Sequence, residues 1–244
     1  MFFSSSCSTN EAMNDTPLDL CAERWRRPLG LALLLATAAW AVIVATAPVD
    51  AMQGEIQKIL YLHVPAAFAA YAGFFTTAVG GALYLWLERD EWDRLALSAA
   101  EVGVVFCTLV LVTGPIWAKG TWGRWWSWDP RLTVTLLLWF VYLAYLLLRS
   151  FTEGSERTAR FAAVYGIAGL LAVPLNYVAI DLFGGRAVHP NNIGRGSLGE
   201  GMGAPFLAGV VAALLAFAYL TLLRFQLEGL RIRSARAAGP RLPG

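Results

Sequence analysis

Charged residues are scarce in this sequence: aspartate, glutamate, lysine and arginine make up only 15% of its 244 residues. A soluble domain usually carries about 25%, so the low charge argues against an ordinary water-soluble protein. Hydrophobic residues make up 57%. They lie in runs of roughly 20 residues, each long enough to cross the ~30 Å hydrocarbon core of a bilayer. Because a spanning segment must satisfy its own backbone hydrogen bonds, the composition predicts an all-α, polytopic membrane protein.

Cysteine is also rare, and the usual catalytic motifs are missing. Cys7, Cys21 and Cys107 form no CxxC or CxxCH pattern, so neither a disulfide framework nor a thiolate metal site is predicted. The sequence contains no phosphate-binding glycine loop, nucleophile elbow or HExxH motif. We therefore expect a protein that is not an enzyme, and we expect any ATP hydrolysis that serves it to occur in a partner.

Six apolar runs predict six transmembrane helices. They cover residues 29–47, 64–87, 95–117, 132–148, 161–180 and 204–223. The runs divide the chain into a polar N-terminal tail (1–23), a six-helix membrane domain (24–225) and a basic C-terminal tail (226–244). The first run resembles a signal peptide. However, its ~19 residues exceed the usual 7–15-residue core, and Pro48 follows it directly, so we expect it to be retained.

The basic residues predict the orientation of the chain in the membrane. Of the 19 lysines and arginines, 13 fall at one side of the predicted spans and 6 at the other. Cytoplasmic loops carry the excess of basic residues, so both termini are predicted to be cytoplasmic. The loops after the first, third and fifth spans then face outward together. These loops carry both histidines and the densest aromatic cluster.

The second of these loops, residues 118–131, is rich in tryptophan. It contains Trp122, Trp125, Trp126 and Trp128, with Gly123 after the first of them. An aromatic belt at the membrane surface explains one or two tryptophans per helix end, but not four in seven residues. Indole rings offer large rigid faces, so the cluster favours a platform for a flat apolar ligand.

Charged residues lie among these tryptophans. Arg124 and Arg131 could pair with carboxylates at the edge of such a ligand, since guanidinium binds carboxylate through two parallel hydrogen bonds. Asp129 precedes Pro130, a pattern typical of an N-cap followed by proline in the first helical position. Alternatively, Asp129 orients a neighbouring arginine or tryptophan N–H, and both roles are compatible.

The chain has only two histidines, and both are predicted on outward loops. His63 lies where the first loop becomes the second span, and His189 lies between the fifth and sixth spans. Either one alone is typical of an interfacial hydrogen-bonding residue. Together, on the two loops that flank the tryptophans, they form a suitable axial pair for heme iron, whereas zinc would need further ligands. The residues therefore predict non-covalent, bis-histidine heme b.

Three other features have simpler interpretations. Glu101, inside the third span, is expected to reach the membrane surface or to pair with Arg94. Asn176, inside the fifth span, is expected to satisfy backbone groups freed by Pro174. Residues 53–62 are expected to form a short amphipathic surface helix.

The tryptophan loop also resembles a known signature. Residues 122–133 read Trp-Gly-Arg-Trp-Trp-Ser-Trp-Asp-Pro-Arg-Leu-Thr, which resembles the WWD motif of the heme-handling proteins of cytochrome c maturation. The ending is similar to the version in the CcmC family, heme exporter protein C, rather than to that in the larger synthetase subunits. Residues 62–67, Leu-His-Val-Pro-Ala-Ala, are similar to that family's first histidine motif. The resemblance covers roughly residues 25–225.

The resemblance implies a function and a set of partners. It implies heme held at the periplasmic surface of the bacterial inner membrane, with His63 and His189 as axial ligands. It also implies that the heme pocket is shaped by Trp122, Trp125, Trp126, Trp128 and Asp129. It also implies delivery of heme to the chaperone CcmE, which binds heme covalently through a vinyl group, together with CcmD and the CcmA/CcmB ATPase. Membrane lipid is expected around the spans, and no nucleic acid.

The sequence departs from the family pattern near His189. The family often has a tryptophan pair shortly before the second histidine, whereas residues 182–189 contain only Phe183 as an aromatic. We expect a thinner pocket wall there, or one that Phe183 supplies. The polar N-terminal tail is a second departure.

Two alternative functions remain open from the residues. A heme transporter would need a polar pathway through the helices, for which only Glu101 and Asn176 are available. A bis-histidine electron-transfer cytochrome would usually hold its ligands well inside the spans, whereas both histidines here are predicted at loop boundaries. A protein-docking role of the tryptophan loop is compatible with heme delivery.

Overall fold

The computed structural model describes residues 16–151, 155–183, 189 and 198–238. Its elements are α1 (Pro17–Ala45), a 3-10 turn (Glu55–Ile59), α2 (Leu60–Leu87), α3 (Asp90–Trp122), α4 (Pro130–Phe151), α5 (Glu156–Gly169), α6 (Ala172–Phe183) and α7 (Gly203–Ala237). Six segments are long and apolar enough to cross a membrane, with α5 and α6 together counting as one of them. The predicted all-α fold with six transmembrane helices is confirmed.

The helices extend beyond the apolar runs. Thr16 caps α1, because its hydroxyl accepts the N–H of Asp19 at 3.3 Å while the Asp19 carboxylate accepts the N–H of Thr16 at 3.1 Å. α1 therefore begins inside the segment predicted as a polar tail, 1–23, and α7 likewise continues into the predicted basic tail, 226–244. Hydropathy marks where lipid contact ends, whereas capping residues decide where a helix ends.

The tryptophan loop is shorter than predicted for the same reason. α3 continues to Trp122, and α4 begins at Pro130. Gly123 ends α3 with a left-handed φ of 74°, and its N–H donates to the carbonyl of Lys119 at 3.1 Å. A left-handed glycine is a common helix terminator because it lacks a Cβ. The loop is therefore residues 123–129, not 118–131.

The fifth span is divided into two helices. α5 ends at Gly169 and α6 begins at Ala172, with Pro174 in the first turn of α6. Proline has no N–H for the backbone carbonyl four residues earlier, here that of Leu170. This carbonyl instead accepts the N–H of Val173 at 3.0 Å. The break changes the direction of the second half of the span, so that Asn176 and Tyr177 lie toward α4.

Small residues bring α2 and α3 together. A Cβ built on Gly73 would lie 2.6 Å from the Cα of Gly103, so the two backbones meet almost directly, as membrane helices do at glycine positions. Next to this contact, Phe74 stacks on Tyr142 of α4 with ring centroids 3.8 Å apart. Both aromatic side chains are fully buried. The centre of the bundle is therefore densely packed.

The close approach predicts a stability effect for Gly73→Ala. The added methyl group must separate α2 from α3, and overpacking of this kind typically costs about 1–3 kcal/mol. We expect the thermal midpoint in detergent to fall by roughly 2 to 10 °C. Gly203→Ala is the matched control, since a Cβ there meets no atom within 4 Å. Equal midpoints for the two variants would contradict the packing argument.

Ion pairs join the helices at the end of the bundle where α2 and α4 finish. Arg149 holds Asp93 through two parallel hydrogen bonds of 2.9 and 2.7 Å, and Arg94 donates to Asp19 at 2.7 Å. Glu101 is paired with Arg224 of α7. The expected pairing of Glu101 with Arg94 is therefore wrong. Arg94 forms its ion pair with Asp19, and Glu101 forms its own with Arg224 because α3 contacts α7.

Candidate functional site

A cavity of about 520 Å³ opens at the other end of the bundle. Its wall is formed by the 3-10 turn, by α2, α3, α4, α6 and α7, and by the segment before α7. Along α3 the wall extends from Trp122 to Cys107, roughly 22 Å at 1.5 Å per residue. Predicted site residues that contribute to it are His63, His189, Trp122, Trp126 and Arg131. Three separate loop regions of the sequence thus meet at one chamber.

His63 is a buried helical residue, not a loop residue. It lies in the first turn of α2 and is 8% exposed. Its Nδ1 is 2.8 Å from the hydroxyl oxygen of Thr113, and the Trp117 ring meets its imidazole edge to face at a centroid distance of 5.9 Å. α2 starts earlier than its apolar run suggested because the preceding 3-10 turn leads directly into it.

The Trp117 side chain is held in turn by the first loop. Its indole N–H donates to the side-chain oxygen of Gln53 at 2.8 Å, and the Thr121 hydroxyl donates to the same oxygen at 3.5 Å. The amphipathic helix predicted for 53–62 is present only as the 3-10 turn Glu55–Ile59, which continues into α2. The hydrogen bonds of Gln53 therefore connect the first loop to the end of α3 at the cavity mouth.

Asp129 fulfils the capping prediction and makes a second contact. Its backbone carbonyl accepts the N–H of Thr133 at 2.9 Å, and one carboxylate oxygen accepts the N–H of Arg131 at 2.9 Å, so it caps α4. The other carboxylate oxygen accepts the backbone N–H of His189 at 3.1 Å. Asp129 is 2% exposed. One carboxylate therefore fixes both the start of α4 and the backbone of the second histidine.

Asn176 joins three helices at the cavity wall. Its side-chain oxygen accepts the hydroxyl of Tyr71, and its amide donates to the hydroxyl of Thr135 at 2.8 Å and to the carbonyl of Arg131 at 3.3 Å. The expectation that Asn176 satisfies backbone groups freed by Pro174 is wrong. The break before α6 turns this side chain toward α4 and α2, where it finds other partners.

The remaining predicted residues lie outside the cavity wall. Trp125 is 58% and Trp128 is 76% exposed, and Arg124 is exposed beside them. Trp128 packs against Trp126 in a T-shaped contact with ring centroids 5.8 Å apart. Trp122 at the end of α3 and Trp126 in the loop thus line the cavity, whereas Trp125 and Trp128 lie at the surface.

Neighbouring parts of the wall also differ from expectation. Phe183 is exposed at the end of α6, and the aromatic residue of α6 that lines the cavity is Tyr177. Arg131 donates from its guanidinium to the carbonyl of Tyr177 at 2.7 Å. Residues 184–188, which the sequence places just before His189, lie outside the described part of the chain.

Several residues that line the cavity or hold its side chains were not found from the sequence. They are Gln53, Thr113, Gly114, Trp117, Tyr71, Met202 and Phe206. Thr113 and Trp117 are four residues apart on α3 and so share one helix face. That spacing could have indicated their common contact with His63. Polar or aromatic residues at such spacing are otherwise ordinary helix-packing features.

Comparison with known proteins shows the family of this chain. A family model described as heme exporter protein C, CcmC, matches residues 10–238. The chain belongs to the heme exporter protein C family. A member named heme exporter protein C from Paracoccus denitrificans is 33% identical over 192 residues, which cover 77% of this chain and 79% of the relative. The family resemblance stated from the sequence is confirmed.

Two other relatives carry the family name. Heme exporter protein C of Haemophilus influenzae is 30% identical over 207 residues, covering 83% of this chain and 82% of the relative. The Escherichia coli K12 relative is 29% identical over 195 residues, covering 80% and 79%. The family model's match, residues 10–238, includes all six spanning segments of this chain.

Proposed function

We propose that this protein binds heme b non-covalently in the cavity and delivers it to the chaperone CcmE during cytochrome c maturation. The observation that carries the proposal is the convergence of His63 and His189, the two histidines of the chain, on one cavity wall. The relatives named heme exporter protein C support the same cargo. The two imidazoles would be the axial ligands of the iron.

The cavity wall fits a flat, apolar molecule with acidic groups at its edge. Trp122 and Trp126 supply aromatic surface, which packs a rigid planar ligand with little loss of entropy. Arg131 is the arginine among the described residues of the wall. Its guanidinium has five donors in a planar fork, so it can bind a heme propionate while donating to Tyr177.

Delivery is favoured over transport through the bundle. Beneath the cavity, Phe74, Tyr142 and Tyr145 are fully buried and fill the centre between α2 and α4. These large side chains occupy the space that a pathway for heme would need. The position of the cavity, at the end where α2, α4 and α7 begin, instead suits release at the membrane surface.

The exposed tryptophans suit a partner at the same surface. Trp125 and Trp128 lie beside Arg124, and tryptophan and arginine are the residue types that dominate protein–protein hot spots. In this proposal CcmE docks there, with CcmD and the CcmA/CcmB ATPase as further subunits. The bias of basic residues supports a cavity on the periplasmic side of the bacterial inner membrane.

The proposal predicts the absorbance spectrum of the purified wild-type protein loaded with heme. Two imidazole ligands give a six-coordinate, low-spin iron in both oxidation states, with a sharp pair of visible bands on reduction. Carbon monoxide should bind only slowly, since it must displace one histidine. A spectrum of five-coordinate or hydroxide-ligated iron, or no Soret band after loading, would contradict the proposal.

A further inference from the structure

His63 makes one side-chain hydrogen bond, and that bond constrains its proton. The Nδ1 atom is 2.8 Å from the Thr113 hydroxyl oxygen. The same hydroxyl is 2.7 Å from the carbonyl oxygen of Leu109, one turn earlier in α3. A carbonyl can only accept, and a hydroxyl has a single proton to donate. If the hydroxyl donates to Leu109, it must accept its second bond from His63.

The alternative arrangement satisfies fewer groups. If the hydroxyl donated to Nδ1 instead, the imidazole proton would be on Nε2, and no described residue forms a hydrogen bond with Nε2 of His63. The first arrangement makes two hydrogen bonds and the second makes one. Thr113 and His63 are both buried, where an unpaired donor is costly. The geometry therefore favours a proton on Nδ1.

Other residues of α3 hold the ring in the same orientation. A Cβ on Gly114 would lie only 3.2 Å from the Cε1 atom of His63, so the imidazole packs directly on the helix backbone at this residue. Trp117 contacts the ring edge to face, at an interplanar angle of 74°. One helix face thus fixes the imidazole by a hydrogen bond, a close backbone contact and an aromatic contact.

We propose that Thr113 is the positioning residue of the His63 ligand: it accepts the Nδ1 proton and leaves Nε2 with the lone pair that iron requires. This inference rests on the proposed function for the ligation of iron by His63, whereas the tautomer of His63 does not depend on it. A histidine ligand is usually oriented in this way by an acceptor at its other nitrogen, which also makes the ligating nitrogen more basic.

The test compares Thr113→Val, Thr113→Ser and wild type, first without heme. Because the chain has two histidines, protein labelled with nitrogen-15 in histidine gives two sets of ring signals, and His189→Ala identifies those of His63. We expect the Nδ1–H tautomer in wild type and in Thr113→Ser. Thr113→Val should lose it, since valine keeps the shape but has no acceptor.

The same variants are then loaded with heme. We expect Thr113→Val to weaken heme binding by about 10–100-fold, the usual effect of removing such a partner. Its midpoint potential should rise, because a less basic imidazole stabilises ferric iron less. Thr113→Ser should have the heme affinity and the midpoint potential of wild type, because serine keeps the hydroxyl. This result would show that the effects of Thr113→Val come from the lost hydrogen bond and not from altered helix packing or misfolding.

Thr108→Val is the matched control. Thr108 is on the same helix, donates to the carbonyl of Val104 at 2.8 Å and accepts the indole N–H of Trp139 at 2.8 Å. It thus repeats the Thr113 pattern away from the cavity, and its variant should leave the tautomer and the potential unchanged.

The outcomes separate the two proposals. An Nε2–H tautomer of His63 in the heme-free wild type would overturn the inference whether or not heme binds. A potential and affinity unchanged in Thr113→Val would overturn it as well. By contrast, a wild type with the Nδ1–H tautomer that binds no heme would overturn the proposed function, while the tautomer measurement would still support the role of Thr113.

Discussion

His63→Ala and His189→Ala are each expected to abolish the six-coordinate, low-spin spectrum of the heme-loaded protein. Each substitution removes one imidazole from the cavity wall, so a five-coordinate, high-spin iron should result. Heme affinity should fall by at least about 100-fold, since a direct ligand counts for more than its hydrogen-bonding partner. Absorbance and electron paramagnetic resonance spectra measure the change, and cytochrome c assembly in cells measures its consequence.

Free imidazole provides the control for these variants. The cavity left by His63→Ala is closed in by Thr113, Gly114 and Trp117, so added imidazole should occupy it and restore the low-spin spectrum. Rescue of this kind excludes a general folding defect. If either alanine variant kept the wild-type spectrum, the convergence of the two histidines would have no role in ligation.

Asp129→Ala has the next largest expected effect, because it removes two contacts at once. Loss of the N-cap of α4 should cost about 0.5–2 kcal/mol. The hydrogen bond from the His189 N–H to the charged carboxylate, 3.1 Å long, is of the class that contributes about 1.5–3 kcal/mol. We therefore expect a lower thermal midpoint and weaker coordination by His189, measured as faster displacement of that ligand by carbon monoxide.

Two further variants separate these contributions. Thr16→Ala removes the cap of α1, far from the cavity, and should lower stability without changing the heme spectrum. Asp129→Asn keeps one acceptor oxygen but presents an N–H₂ group to the other contact, so it should retain the cap and still lose the His189 bond. If carbon monoxide displaced the ligand at the same rate in Asp129→Asn and in wild type, the hydrogen bond from Asp129 to His189 would have no role in coordination.

The overall fold could be predicted because hydropathy reports directly on the bilayer. Each span needs about 20 apolar residues, and six such runs are separated by polar loops. Because successive spans alternate in direction, the first, third and fifth loops had to meet at one end. This topology alone predicted that His63, His189 and Trp122 would share a location, and all three line the cavity.

Contacts that depend on the rotation of one helix against another could not be predicted. Several acidic residues are within reach of several arginines, so composition could not assign Glu101 to Arg224 and Arg94 to Asp19. The hydrogen bond between Thr113 and His63 similarly joins residues 50 positions apart. Asn176 was misassigned because the break between α5 and α6 changes the direction in which it points.

α7 joins the cavity to the opposite end of the molecule as a single rod. Its first turns include Phe206 in the cavity wall, and it continues uninterrupted to Ala237 over 35 residues, roughly 52 Å at 1.5 Å per residue. The apolar part ends before Arg224, and the helix continues for roughly 20 Å beyond it, where the buried Phe225 lies against Arg94 and Arg224 pairs with Glu101 of α3. One uninterrupted helix therefore connects the ion pairs at one end of the bundle to the cavity wall at the other.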